Sequence, residues 1–199
     1  MKTCSDIALI LHPGNAKCGS KSIQSALYRY RPQLFEQGVC LPDRNFEFSS
    51  AQMATQGTLD DVPIEFFDNI SKSHSTDVFR KALDTSISAA RSFGASRILI
   101  SSEVLTNQPL VSWIHQVLAE AFSEVRVIYY IRRQDDFLLS AWQQWSHKAG
   151  VRLSDCIEDS LRVKAPNYLH ITDVFVRNYG LDSVAVRPIA PCALIEGSL

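Results

Sequence analysis

The stretch His12-Pro-Gly-Asn-Ala-Lys17-Cys-Gly19-Ser20-Lys21-Ser22-Ile-Gln24 constrains the fold more than any other part of the chain. A short apolar run, Ile7 to Leu11, leads into it, and Ile23, Leu27, Tyr30 and Leu34 follow near helical spacing. A strand, a glycine-containing loop and a helix start, in that order, form an anion-binding arrangement. The loop turns backbone N–H groups inward, and the helix start adds unpaired N–H groups and the positive end of its dipole. Lys17 adds a full positive charge, and Ser20 and Ser22 add hydroxyl donors. The stretch reads as a phosphate cradle.

Spacing narrows the kind of cradle. A nucleoside-triphosphate loop, G-x-x-x-x-G-K-[ST], places Lys directly after its second Gly. Gly14 and Gly19 have the required separation, but Ser20 follows Gly19 and the lysines fall at 17 and 21. A cysteine phosphatase loop needs Arg six positions after Cys18, where Gln24 stands. Neither pattern fits. The stretch resembles instead the 5′-phosphosulfate loop of sulfotransferases that use 3′-phosphoadenosine 5′-phosphosulfate, roughly P-K-[ST]-G-[ST]-[ST] and often followed by Ile-Gln. Lys17, Gly19, Ser20 and Ser22 match that loop; Ala16 replaces its proline, and Cys18 and Lys21 replace small hydroxyl residues.

A second stretch, Tyr130-Ile-Arg132-Arg133-Gln-Asp-Asp-Phe-Leu-Leu-Ser140, resembles the 3′-phosphate motif of the same family, an Arg at a strand end followed eight positions later by a Ser in the next helix. The resemblance assigns Arg132 and Ser140 to the 3′-phosphate, with Arg133 as a second contact. Arg suits a dianionic phosphate because it makes paired, charge-assisted hydrogen bonds. The alternative is that Arg132 and Arg133 pair with Asp135 and Asp136 in a solvated loop. Phe175-Val-Arg-Asn-Tyr-Gly180 followed by Val184-Ala-Val-Arg187-Pro188 is similar to the later part of bacterial members. Family members continue further, with a segment that closes over the 3′-phosphate. The chain ends at Gly197-Ser198-Leu199, which implies a C-terminally truncated domain and a partner chain over its sheet edge or core.

The remaining elements follow from periodicity. The first helix runs to about Arg31; Pro32 restarts a short one to Gln37, and Gly38 stops it. Val39 to Pro42 reads as extended. Residues 43 to 76 carry little periodic signal and read as an irregular surface connection with Phe46, Phe48, Phe66 and Phe67 as anchors, or as the border of an acceptor pocket. Asp77 to Phe93 is an amphipathic helix, with Val78, Phe79, Leu83, Ile87 and Ala90 on one side, and Gly94 ends it. Arg97 to Ser101 and Val125 to Ile131 are strands, with a helix from Leu110 to Phe122 between them. Asp135 to Ala149 reads as one helix capped by Gly150, Tyr168 to Asn178 as another, and Ser183 to Arg187 as the last strand. Strands alternating with helices predict an α/β fold, three layers with a mainly parallel central sheet, in one domain spanning 1–199. The family resemblance implies the P-loop nucleoside-triphosphate-hydrolase-like sulfotransferase version of that fold.

Ligands of such sheets bind outside the carboxyl ends of the strands. That rule puts the loop after Leu11, the run Ser101-Ser102-Glu103 and the pair Arg132-Arg133 on one rim. The resemblance then implies sulfuryl transfer from 3′-phosphoadenosine 5′-phosphosulfate to a hydroxyl or amine on a small-molecule, glycan or lipid acceptor, releasing 3′-phosphoadenosine 5′-phosphate without a metal. Lys17, Cys18, Gly19, Ser20, Lys21 and Ser22 would hold the 5′-phosphosulfate, with Lys17 as the catalytic cation and Cys18 as a small donor in place of Thr. Lys21 either charges the pocket or faces solvent. Glu103 is the candidate base, and the competing reading is an exposed loop carboxylate. His12 suits a structural hydrogen bond, and His147 falls on a helix surface. Two other functions stay open: a nucleotide kinase or hydrolase with an irregular loop, and a non-catalytic nucleotide-binding module.

The net charge of −1 argues against general nucleic-acid binding. Five scattered cysteines (Cys4, Cys18, Cys40, Cys156 and Cys192) contain no C-x-x-C and fit a reducing, cytoplasmic setting. No apolar run is long enough for a membrane span.

Overall fold

β1 (Ala8–His12) is the middle of a five-stranded sheet in the order β2-β3-β1-β4-β5. The computed structural model describes residues 6–107 and 110–190; Cys4, Cys192 and the C-terminal Gly197-Ser198-Leu199 lie outside the described residues. After β1 come α1 (Ser20–Arg29), α2 (Arg31–Glu36) and β2 (Val39–Cys40). Then follow α3 (Ser50–Met53), α4 (Ile64–Ser73), α5 (Thr76–Ser92) and β3 (Arg97–Ser101). α6 (Ser112–Ala121) leads to β4 (Val125–Ile131), and α7 (Gln134–Ala141), α8 (Leu153–Val163) and α9 (Tyr168–Tyr179) lead to β5 (Val184–Pro188). Every strand pairing is parallel: Ala8 to His12 lie opposite Arg97 to Ser101, and Leu9 lies opposite Val125. The α/β class and the parallel sheet stand as the alternation of elements predicts.

Alternate residues of each strand face opposite layers. Leu9 and Leu11, Ile98 and Ile100, and Val125, Val127 and Tyr129 join one large core with Phe79, Leu83 and Ile87 of α5, Ile114 and Leu118 of α6 and Phe175 of α9. The other layer is smaller: Leu99 and Val39 pack with Tyr28 of α1, with Ile10 and Leu27 half-buried beside them. Helices thus lie on both faces, but unequally. Among the described residues the second layer stops near β1, so Ile128 and Tyr130 of β4 stay half-buried and Arg187 of β5 is exposed. Right-handed crossovers explain this, because only the β1-to-β2 connection moves leftward and so passes over that face.

Three expectations require correction. Residues 43–76 are not an irregular surface loop. They contain α3, α4 and a 3₁₀ turn, Leu59–Asp61, closed by a reciprocal Thr58–Asp61 capping box. Phe46 and Phe67 are core residues with Phe48 and Phe66 half-buried against them: Phe46 stacks on Phe66 at 4.7 Å between ring centres, and Phe67 meets Phe46 at 5.5 Å and Phe79 at 6.0 Å. Second, Asp135 to Ala149 is not one regular helix. α7 passes at Ala141 into a π-helical turn, Trp142–Ser146, then a 3₁₀ turn, His147–Ala149, before Gly150 takes φ 75°. Third, Val78 is 55% exposed rather than on the buried side of α5. α8 lies where no element was anticipated, and Gly94 ends α5 at φ 71° as expected.

No helix among the described residues is long and apolar enough to cross a membrane.

Two histidines are sealed inside this frame. His115 of α6 has Nε2 3.0 Å from the Leu105 carbonyl and Nδ1 2.8 Å from the Tyr179 hydroxyl. A carbonyl only accepts, so Nε2 carries the proton and Nδ1 accepts from Tyr179. Burial pushes His115 and His12 each down to about 4 from 6.5. Each is neutral when folded and protonates near 6.5 when unfolded, so the stability it contributes is complete above about 6.5 and is lost as pH falls toward 4. The loss amounts to about 3 kcal/mol per histidine across that window. Urea unfolding from pH 7 to 4.5 is expected to show a steep acid decline, made shallower by His115→Gln; an unchanged slope would contradict this account.

Candidate functional site

The loop after β1 is sewn to the loop after β3. Ser102 N–H donates to the His12 carbonyl at 3.2 Å, Gly14 N–H to the Ser102 carbonyl at 3.2 Å, and Thr106 Oγ1 to the Gly14 carbonyl at 3.2 Å. His12 itself is buried, with Nδ1 2.7 Å from Ser101 Oγ, the structural role its position suggests. Glycine is required at 14: a Cβ there would lie 2.7 Å from Ser20 Oγ and 3.0 Å from Glu103 Cγ. The close approach brings the cradle and the candidate base together.

Asn15 organises the turn. Its carbonyl accepts from Cys18 N–H at 3.1 Å and from Ser20 Oγ at 2.8 Å, while its Nδ2 donates to the Tyr129 hydroxyl at 3.2 Å. Lys17 and Gly19 then take left-handed backbone conformations, φ 61° and 70°. Gly19 does so freely, whereas Lys17 carries about 1–3 kcal/mol of strain, a cost that concentrates at functional sites. The first helical bond of α1 runs from Ile23 N–H to the Gly19 carbonyl, so the N–H groups just ahead of it are the ones a helix start leaves unpaired.

These features open on a cavity of about 510 Å³. Ala16, Lys17, Gly19, Ser20, Lys21 and Ser22 form one wall, Glu103 and Arg132 line it from the ends of β3 and β4, and Gln144 and Trp145 complete it. The three rim regions named from the sequence therefore meet in one place. Three cations and one carboxylate line the space, a balance suited to a multiply charged anion. None of residues 43–76 lines this cavity. Among the described residues, no three His, Cys, Asp or Glu side chains gather as a metal set.

The sequence candidates divide. Lys17 is half-buried and its Nζ donates to Gln144 Oε1 at 2.6 Å. Lys21 and Ser22 are exposed along the cavity wall, while Ser20 is buried and its hydroxyl proton is committed to the Asn15 carbonyl rather than to a ligand. Arg132 lines the cavity with Nη1 3.4 Å from the Lys17 carbonyl, and among the described residues it has no carboxylate partner. Arg133 behaves otherwise: it forks onto Asp135 at 2.6 and 3.1 Å, holding that carboxyl below its usual range. The solvated-loop alternative is thus right for Arg133 and wrong for Arg132.

Cys18 and Ser140 do not line the cavity. The Cys18 side chain is fully buried beside the Tyr168 hydroxyl at 3.7 Å, and burial pushes its thiol up, so it is neither a donor toward the cavity nor a thiolate. A thiol packs as a small apolar side chain, which suits this buried position. Ser140 is half-buried on α7 and is not among the residues that line the cavity, although Gln144 and Trp145, one turn further on, are. Two residues the sequence reading missed, Gln144 and Trp145, sit on the π turn. The spacing of Trp142 and Trp145 around two glutamines is the one visible sign that this segment has a polar task.

No protein-family model matches the sequence, and no curated protein matches it. Among solved structures, the chain is similar to a sulfotransferase from Alicyclobacillus acidocaldarius, with a TM-score of 0.47 and 15% identity over 90% of this chain and 72% of that one.

Proposed function

We propose that the chain is a sulfotransferase-like enzyme that moves a sulfuryl group from 3′-phosphoadenosine 5′-phosphosulfate to a hydroxyl or amine acceptor. The observation that carries this is the meeting in one cavity of the Lys17 cradle, Glu103 and Arg132, which has no ion-pair partner among the described residues, while the neighbouring Arg133 is paired off. A cavity of about 510 Å³ lined by cations fits a nucleotide carrying two separate anionic groups.

Each residue then has a distinct task. Lys17 and the N–H groups at the start of α1 hold the 5′-phosphosulfate and neutralise charge that builds on the leaving phosphate. Lys21 and Ser22 add charge and a hydroxyl at the same mouth. Arg132 takes the 3′-phosphate by charge-assisted hydrogen bonds. Glu103 accepts the acceptor proton as the new S–O or S–N bond forms and the S–O bond to phosphate breaks. The test is release of 3′-phosphoadenosine 5′-phosphate from the sulfated nucleotide, measured across phenol, sugar and amine acceptors. Acceptor-dependent release is expected, lowered about 100-fold by Glu103→Gln with nucleotide affinity kept within about twofold. A parallel loss of affinity would make Glu103 structural, and tight binding without release would leave a nucleotide-binding module.

A further inference from the structure

We propose that the π-helical turn Trp142–Ser146 is a latch on Lys17: Gln144 holds the ammonium, and an incoming anion must displace it. The inference rests on the proposed anion site. Lys17 and Gln144 belong to segments 127 residues apart, yet Nζ donates to Oε1 at 2.6 Å. The same ammonium lies 6.0 Å from the centre of the Trp145 ring, so two consecutive residues of one turn engage it. Both line the cavity and both are exposed, so neither is held there by core packing.

The backbone geometry favours a switch in the side chain alone. Lys17 is fixed at φ 61°, its carbonyl faces Arg132 Nη1 at 3.4 Å, and the turn after it is tied through Asn15. What can move is the long side chain and the turn it grips. That turn carries one residue more than an α-helix allows, an irregularity common at functional sites. Its start is pinned by Trp142 Nε1 donating to the Val151 carbonyl at 2.8 Å, which leaves Gln144 and Trp145 as the part facing the cavity. A neutral amide oxygen is a weaker partner for an ammonium than a phosphate or sulfate oxygen. Anion binding therefore replaces the amide and frees the turn, and the replaced bond lowers the apparent affinity of the site.

The test uses calorimetry and tryptophan fluorescence with 3′-phosphoadenosine 5′-phosphate on the full chain. Gln144→Ala removes the competitor and is expected to tighten binding about two- to tenfold, the range a single exposed hydrogen bond spans. Gln144→Glu replaces a neutral partner with a carboxylate and is expected to weaken binding by more than that. Saturating ligand is expected to change the emission of wild type but not of Trp145→Phe, with a midpoint matching calorimetry. Unchanged or weaker binding by Gln144→Ala overturns the latch. If Lys17→Ala abolishes binding while both Gln144 variants match wild type, the anion site stands and the latch falls. If wild type binds no bisphosphate, the site and the latch fall together.

Discussion

Lys17→Ala is expected to lower turnover about a thousandfold while leaving the fold intact. The ammonium is the only full charge projecting from the turn between β1 and α1, and it lines the cavity in which the proposed reaction would build negative charge on the leaving phosphate. Removing one such group from a preorganised site costs about 10²–10³ in rate, and Lys17 adds a net charge as well as a hydrogen bond. Stability should hardly move. Alanine and lysine tolerate φ 61° about equally, and the bond lost, to exposed Gln144, belongs to the class of surface contacts that contribute about 1 kcal/mol or less. Turnover and urea unfolding measured on the same preparation separate the two effects. Loss of stability in proportion to activity would make Lys17 a structural residue of the turn.

Phe67→Ala is expected to destabilise the protein by about 3–5 kcal/mol, the range for truncating a fully buried aromatic. Phe67 has no exposed surface and sits edge-on to Phe46 at 5.5 Å, Phe66 at 5.4 Å and Phe79 at 6.0 Å. These rings join α4 to α5 and to the chain after β2, so the cavity left by truncation cannot close by moving one element alone. Denaturant unfolding reads the effect; a loss below about 1 kcal/mol would mean that residues 43–76 are an adaptable cover rather than core.

That same segment shows where sequence reading stops. Arg97–Ser101 and Val125–Ile131 are legible as strands because a parallel sheet buried on its faces demands near-continuous apolar, β-branched runs. α4 does bury Phe67, Ile70 and Ser71 at i, i+3 and i+4, but the helix is only ten residues long and its aromatic partner Phe46 stands outside any helix, so the period is brief and its packing partner is not marked. α8 buries no residue, yet Leu153, Cys156, Ile157 and Leu161 recur at i, i+3, i+4 and i+8, so its helical period is present in the sequence although no core lies against it. At the site, Lys17, Gly19, Ser20, Lys21, Ser22, Glu103 and Arg132 were legible because the carboxyl ends of β1, β3 and β4 must share a rim. Gln144 and Trp145 were not. The π turn shifts the phase of every later side chain by about 100°, the angle of one helical residue, and nothing in the residues announces the extra one. Cys18 and Ser140 were placed by resemblance; the Cys18 thiol is buried, and the cavity is lined on that side by Gln144 and Trp145 rather than by Ser140.

The central claim is that this cavity recognises a nucleotide with a 3′-phosphate. Its most direct test is calorimetric titration with 3′-phosphoadenosine 5′-phosphate, beside ATP with magnesium, on wild type and Arg132→Ala. The account predicts that the bisphosphate binds in clear preference to ATP and that Arg132→Ala loses about 10- to 100-fold in affinity, the size of a charge-assisted pair. A preference for ATP with magnesium, or equal bisphosphate binding by Arg132→Ala, would contradict it.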